Sequence, residues 1–101
     1  MIIYNITIKA DWAIHGEWLQ WMQEEHIPEI LATGLFNNYR IMRLLEVDDS
    51  EGPTYAIQYE ARRREDYDTY LRQFSEGLSR KAFARWEDKF VSFSSVLQIV
   101  N

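Results

Sequence analysis

The chain opens on a strict two-residue alternation. Ile2, Tyr4, Ile6 and Ile8 fall on one side of an extended backbone and Ile3, Asn5, Thr7 and Lys9 on the other. This is the pattern of a half-buried strand. Asp11 then offers a carboxylate to the free amides of a first helical turn. From Trp12 to Ala32 the period lengthens, and Trp18, Leu19, Met22, His26 and Ile30 fall within an arc of about 120° at 3.6 residues per turn. Pro28 disfavours helical geometry at Ile27 and removes a donor. A kink, or a helix end with a short second turn, is expected there. Gly34 suits a helix C-terminal cap.

Alternation returns over residues 39–47, with Tyr39, Ile41, Leu45 and Val47 on one face and Arg43 among them. The run DDSEGP (48–53) is a turn by composition. Tyr55, Ile57, Tyr59 and Ala61 mark one side of a third strand over 54–61, hairpin-paired to the second. A second helix begins near Arg64, with Tyr67, Leu71, Phe74 and Leu78 spaced by four, three and four. Gly77 is expected to weaken or end it, leaving residues 81–86 as a further turn. Residues 90–100 read as the last strand, with Val91, Phe93, Leu97 and Ile99 on its more apolar face.

The order βαββαβ over residues 1–101 predicts a single α+β domain, a ferredoxin-like sandwich. Two main helices cover one face of a four-stranded antiparallel sheet. The expected strand order is 4-1-3-2, with the first and third strands central and parallel to each other through a right-handed crossover. Giving each strand's better face to the helices leaves Ile3, Met42, Leu44, Phe90, Val96 and Val100 on the open face, beside Asn5, Thr7, Arg40, Glu46, Gln58, Glu60, Ser92 and Ser94. That face is too apolar for water and too polar for a core. It therefore predicts a homodimer in which two sheets pack face to face, with those six residues at the interface.

Composition narrows the function classes. Of 101 residues 47% are apolar and 15% aromatic, enough for a packed core and against disorder. Lys and Arg number 11 against 16 Asp and Glu, a net charge of −5. This lacks the basic footprint of nucleic-acid binding and opposes an anionic membrane surface. With no Cys there is no disulfide, thiolate metal site or Cys nucleophile. The first ten residues carry no signal-peptide pattern and no apolar run approaches a membrane span. A soluble, cytoplasmic protein is expected. The basic run Arg62, Arg63 and Arg64, with Arg72, Arg80, Lys81 and Arg85 beyond it, makes the second half cationic against an acidic first half, and reads as a solvated helix face.

One constellation could carry chemistry. In WLQWMQEEHIPEI (18–30), His26 lies on the inward arc with Leu19, Met22 and Ile30. An imidazole beside an apolar cavity can act as a base near neutral pH; the plainer reading is a hydrogen-bonded core histidine. The expected ligand pocket is Tyr4, Trp18, Met22, His26, Arg43 and Tyr59, with Arg43 as a carboxylate clamp, or simply snorkelling from an edge strand. Trp18 and Trp21 could stack on a flat ligand, although aromatics at helical spacing more often serve a core. Glu25 and Glu29 flank His26, but no third strong ligand is placed by spacing, so no metal site is expected. Neither a phosphate loop nor a nucleophile elbow is present, and no cofactor is expected.

Three segments carry a family resemblance: MIIYNITIKADWAIHGEWLQWMQEEHIPEILATGLF, YRIMRLLEVDDSEGPTYAIQY and RKAFARWEDKFVSFSSVLQIV. Together they span nearly the whole chain and resemble a family of short bacterial proteins of unknown function. Its most specific part is WLQWMQEEHIPEI. The family is similar to the dimeric α/β-barrel group, which includes cofactor-independent monooxygenases, haem-degrading enzymes, isomerases, dehydratases and proteins without known activity. The resemblance implies a dimer formed through the sheets and a site between sheet and helices, near His26. It assigns no reaction, since one fold serves many functions. Three functions follow as expectations: a noncatalytic homodimer binding a small molecule or protein partner, a small oxygenase or isomerase with His26 as base, and a haem-handling protein with His26 as axial ligand.

Overall fold

The computed structural model describes residues 1–101. The alternating segments become strands β1 (Ile2–Ala10), β2 (Asn38–Arg43), β3 (Thr54–Ala61) and β4 (Phe90–Gln98). They form one antiparallel sheet in the order β2-β3-β1-β4, the order expected from sequence. The directions of the central strands differ from expectation: β1 pairs antiparallel with β3, Tyr4 opposite Tyr59 and Ile6 opposite Ile57. The reason is the hairpin. β2 returns from the first helix, and β3 folds back along β2 into the space between β2 and β1, so it opposes both neighbours.

The first helix is built in three pieces: α1 (His15–Trp21), a π turn (Met22–His26) and α2 (Ile27–Ala32). Asp11 stabilises the entry, its Oδ1 accepting from the Ala13 amide at 2.8 Å. Pro28 lies in the first turn of α2, where its missing donor costs least. Gly34 closes the helix with φ +78°, the left-handed conformation that favours glycine. The second helix is α3 (Arg64–Tyr70), a π turn (Leu71–Ser75) and α4 (Glu76–Trp86). It runs straight through Gly77 rather than ending there, so one long helix replaces the helix and separate turn expected.

Both helices pack on the sheet face bearing Ile2, Tyr4, Ile8, Tyr55, Ile57 and Tyr59, and Trp18, Met22, Ile27, Ile30, Tyr67, Tyr70 and Leu78 close the core over them. At the rim, an added Cβ on Gly52 would lie 1.8 Å from the Ala10 carbonyl oxygen. Only glycine lets the β2–β3 loop cross so close to β1.

Register reverses the expected faces of β4. Phe90 stands opposite Ala10, Ser92 opposite Ile8, Ser94 opposite Ile6 and Val96 opposite Tyr4. Directly opposed residues share a face, so Phe90 and Val96 point toward the helices and not toward the open face; Phe90 packs against the core. Val91, Phe93 and Leu97 instead stand on the open face, opposite Lys9, Thr7 and Ile3. Val100 lies beyond the strand and Leu44 just past β2, whose alternation stops at Arg43, leaving Leu45 and Val47 exposed in the following loop. Ile3 and Met42 stay on the open face, with Met42 opposite Ala56. No helix is long and apolar enough to cross a membrane.

Candidate functional site

A cleft of about 700 Å³ runs between the helices and the β1–β4 side of the sheet and takes in Val91 and Phe93 across the edge strand β4. Two helical irregularities border it. The first π turn contributes Met22 and His26, its first and last residues; the second contributes Leu71 and Ser75, again first and last. Single π turns inside α-helices are often found at functional sites. Here they also re-phase the helices. Trp18, Met22, Ile27 and Ile30 are the buried positions of the first helix, and the five-residue step from Met22 to Ile27 is the π turn itself.

Five of the six expected pocket residues meet in this cleft: Tyr4, Trp18, Met22, His26 and Tyr59. Arg43 does not. Its guanidinium donates to Asp49 Oδ2 at 2.9 Å and lies over the Trp12 ring at 5.8 Å. Arg43 is thus held outside the cleft by the loop that follows β2 and clamps no ligand in it.

His26 stacks on Trp21 with ring centroids 4.6 Å apart. Burial is the main cause that lowers its pKa to about 4; nearby Glu29 acts the other way and Lys81 reinforces the fall. The ring is therefore neutral at physiological pH, a hydrogen-bond acceptor as much as a donor. Glu29 is itself tied to Lys81, Oε2 accepting from Nζ at 2.8 Å. No three His, Asp or Glu side chains converge anywhere to hold a metal.

Tyrosines form the inner wall. Tyr4 sits 6.2 Å from Tyr59 and 5.7 Å from Tyr70, centroid to centroid. Burial raises the pKa of all three phenols, so they remain protonated donors. Ser75 and Ser94 approach the Tyr4 hydroxyl and moderate its rise. The Tyr59 hydroxyl is fully buried yet has no partner, which is costly unless something else satisfies it.

Sequence reading missed the polar part of the lining: Ser75, Ser79, Ser92, Ser94, Glu87 and Asp88. Alternation alone puts the serines of β4 on the open face with Phe90, and only the pairing with β1 turns them inward; the hydroxyls on the second helix lie on no apolar stripe. Nothing in the periodicity marks His15. Its Nε2 lies 2.7 Å from the Tyr55 hydroxyl, and the pair braces the start of α1 against β3.

The fold and cleft define a ferredoxin-like α+β protein with a pocket between one sheet face and its helices. The chain belongs to the DUF4286 family, a domain of unknown function, which matches over residues 1–100. Solved structures share the fold at low identity. A dimeric ferredoxin-like protein from an uncultured marine organism is 10% identical, with a TM-score of 0.69, covering 99% of this chain and 95% of the other. A protein of the ethyl tert-butyl ether D (EthD) family from Bacillus halodurans has the same identity, 10%, and TM-score, 0.69, covering 99% of this chain and all of that one (100%). A Deinococcus radiodurans protein provisionally described as an antibiotic biosynthesis monooxygenase is 14% identical with a TM-score of 0.66, covering 100% and 94%. Among curated proteins none matches the chain in sequence.

Proposed function

We propose that the protein is a homodimer that binds a small, largely apolar molecule in the cleft between the β1–β4 sheet and the π-interrupted helices. The observation that carries this reading is a cavity of about 700 Å³ with 13 hydrophobic residues among its 20 lining residues. Apolar walls with a few polar groups, in a volume of this order, are the usual make-up of a small-molecule site. The dimer is supported by the apolar residues left on the open face and by the dimeric ferredoxin-like protein of similar fold.

Binding is favoured over catalysis by His26. A base with a pKa of about 4 is free of its proton at neutral pH but too weak to take one efficiently, since general bases work best with a pKa near the operating pH. The oxygenase, isomerase and haem readings all rest on this one imidazole, and no second titratable partner hydrogen-bonds it.

The test uses a neutral aromatic probe, 2-phenylethanol, followed by amide chemical shifts and by the fluorescence of Trp18 and Trp21, which line the cleft. Saturable binding that maps to the cleft and disappears in Ser79→Trp, which fills it, is the expected outcome. Unchanged binding in that variant places the site elsewhere. Haem added to wild type and His26→Ala should give the same Soret band; a band that depends on His26 would favour haem handling.

A further inference from the structure

The cleft reaches both faces of one strand. It is lined by Phe90, Ser92 and Ser94, which face the helices, and by Val91 and Phe93, which face away from them. A cavity touches both faces of a strand only by passing round its free edge, and β4 is the last strand of the sheet. The inner wall is dry, with Trp18, Met22 and Tyr59 buried. The mouth is not: Leu71 is 42% exposed and Phe83 62%, and Val91 and Phe93 are more exposed still. A small-molecule site normally buries about 70–90% of its ligand's surface. One copy of the chain leaves this apolar mouth facing water.

The sequence of β4 is that of a covered strand. Phe90–Gln98 holds no charged residue, proline or glycine over its 9 residues, whereas the opposite edge, β2, spans 6 residues and carries Arg40 and Arg43. Edge strands that stay in water are kept from pairing by short length, charge or proline; β2 has the first two and β4 has none. Charge and area say what covers it. On the open face Phe93 stands opposite Thr7, Ser95 opposite Asn5 and Leu97 opposite Ile3, and none of these side chains is charged. On a chain of net charge −5, a neutral apolar patch is where two copies meet with least repulsion. The slab's broad face, 37 × 31 Å, accommodates the roughly 800 Å² per partner of a standard interface.

We propose that the cleft is completed by a second copy of the chain, so that ligand binding and dimerisation are coupled. The copy seated on the open face covers Val91 and Phe93 and closes the mouth along the β4 edge. An apolar ligand is then walled on one side by its own protomer and on the other by the partner. This rests on the binding and homodimer readings above and adds how the site is regulated: the dimer takes up ligand and the monomer holds it weakly. Each dimer has two such clefts. A gain of about tenfold per site therefore raises dimer association by its square, about a hundredfold at saturation.

The probe is N-phenylnaphthylamine, an uncharged fluorophore that brightens on leaving water; the signal counted is the part lost in Ser79→Trp, which fills the cleft. It is titrated into wild type above and below the concentration at which the dimer forms, and into Leu97→Asp. Leu97 lies on the open face but does not line the cleft, and the introduced carboxylate opposes burial against the partner. The dimer should bind at least about tenfold tighter than either diluted wild type or monomeric Leu97→Asp. Sedimentation should show saturating probe strengthening wild-type dimerisation by about a hundredfold. Dilution needs no substitution, so a folding defect in Leu97→Asp cannot imitate the result. If the dilute monomer binds the probe as tightly as the dimer does, the cleft is complete in one copy; the shared site is then wrong while cleft binding stands. A wild type that stays monomeric with probe bound leads to the same conclusion. Absence of saturable, cleft-dependent binding in every sample overturns both.

Discussion

At the scale of single residues, two positions tie local environment to stability: His26 through its burial, and Glu87 through a backbone held at φ +53° and ψ −128°. The unfolded chain protonates a histidine near pH 6.5, whereas the folded chain resists protonation at His26 until about pH 4. Between those values the unfolded state binds more protons, so stability is complete above pH 6.5 and falls as pH drops toward 4. The shift corresponds to up to about 3 kcal/mol. Urea unfolding at pH 7 and pH 4.5 should show this loss in wild type, and His26→Gln, which cannot titrate, should lose markedly less. Equal losses would mean that other groups carry the acid sensitivity. At Glu87 the effect lies in the backbone. Glu87→Gly should raise stability by about 1 kcal/mol, because a non-glycine residue in that region costs of order 1–3 kcal/mol, offset by glycine's greater unfolded-state entropy. A midpoint in urea that falls instead would show that Glu87 makes a stabilising contact there. Arg43 belongs to this scale too: its strand position was legible, but its partner Asp49 lies in a loop whose path no periodicity encodes.

Among the elements, what could be read from the sequence depended on how asymmetric each face was. β1 and β3 have one clearly apolar side, and their helix-facing residues were identified correctly. β4 has apolar residues on both sides: Phe90 and Val96 on one, Val91, Phe93 and Leu97 on the other. Counting favours the second, yet pairing with β1 gives the helices the first. Register, not hydrophobicity, decides such a strand. The helices show the complementary limit. A search at 3.6 residues per turn selects Leu71, but the chain buries Tyr70, and it skips Ile27 because a π turn adds a residue to the step. The cleft was legible where it is lined by aromatics and by His26, and illegible where it is lined by serines. The register makes a direct prediction. Phe90→Ala should destabilise the fold by about 1–3 kcal/mol, and Phe93→Ala should leave monomer stability within about 0.5 kcal/mol, as measured by chemical denaturation at dilute concentration. The reverse order would mean the strand is out of register by one residue. Gly77 supplies a further element-scale test: a Cβ there meets nothing within 4 Å, so Gly77→Ala, inside the continuous second helix of α3, its π turn and α4, should stabilise by about 0.5–1 kcal/mol.

The whole molecule is a slab, 37 × 31 × 19 Å, with one sheet and one helical layer, so half of the sheet's surface has no covering within the chain. Its open face is organised rather than random. At its middle, Asn5 Nδ2 donates to Thr7 Oγ1 at 3.2 Å and to Ser95 Oγ at 3.4 Å, and Gln58 donates to Asn5 Oδ1 at 3.3 Å. Apolar side chains surround this network: Phe93 is 68% exposed, Val91 64% and Leu97 47%. A polar cluster whose members already satisfy one another can be covered at little desolvation cost, while the apolar border gains from being covered. Both properties suit a second copy of the same face laid against it by a two-fold axis. Burying Phe93 and Leu97 in each of two copies adds several kcal/mol to association, at about 1.5–3 kcal/mol per fully buried side chain. Replacing both with serine should therefore weaken self-association at least about a hundredfold while leaving the helix-side core intact. Because a dimer that dissociates on unfolding melts higher as its concentration rises, the wild-type midpoint should climb with protein concentration. The midpoint of Phe93→Ser combined with Leu97→Ser should be flat, and sedimentation should show the corresponding drop from dimer to monomer mass. A variant that still sediments as the dimer would move the interface off the sheet, onto the helices or an edge strand.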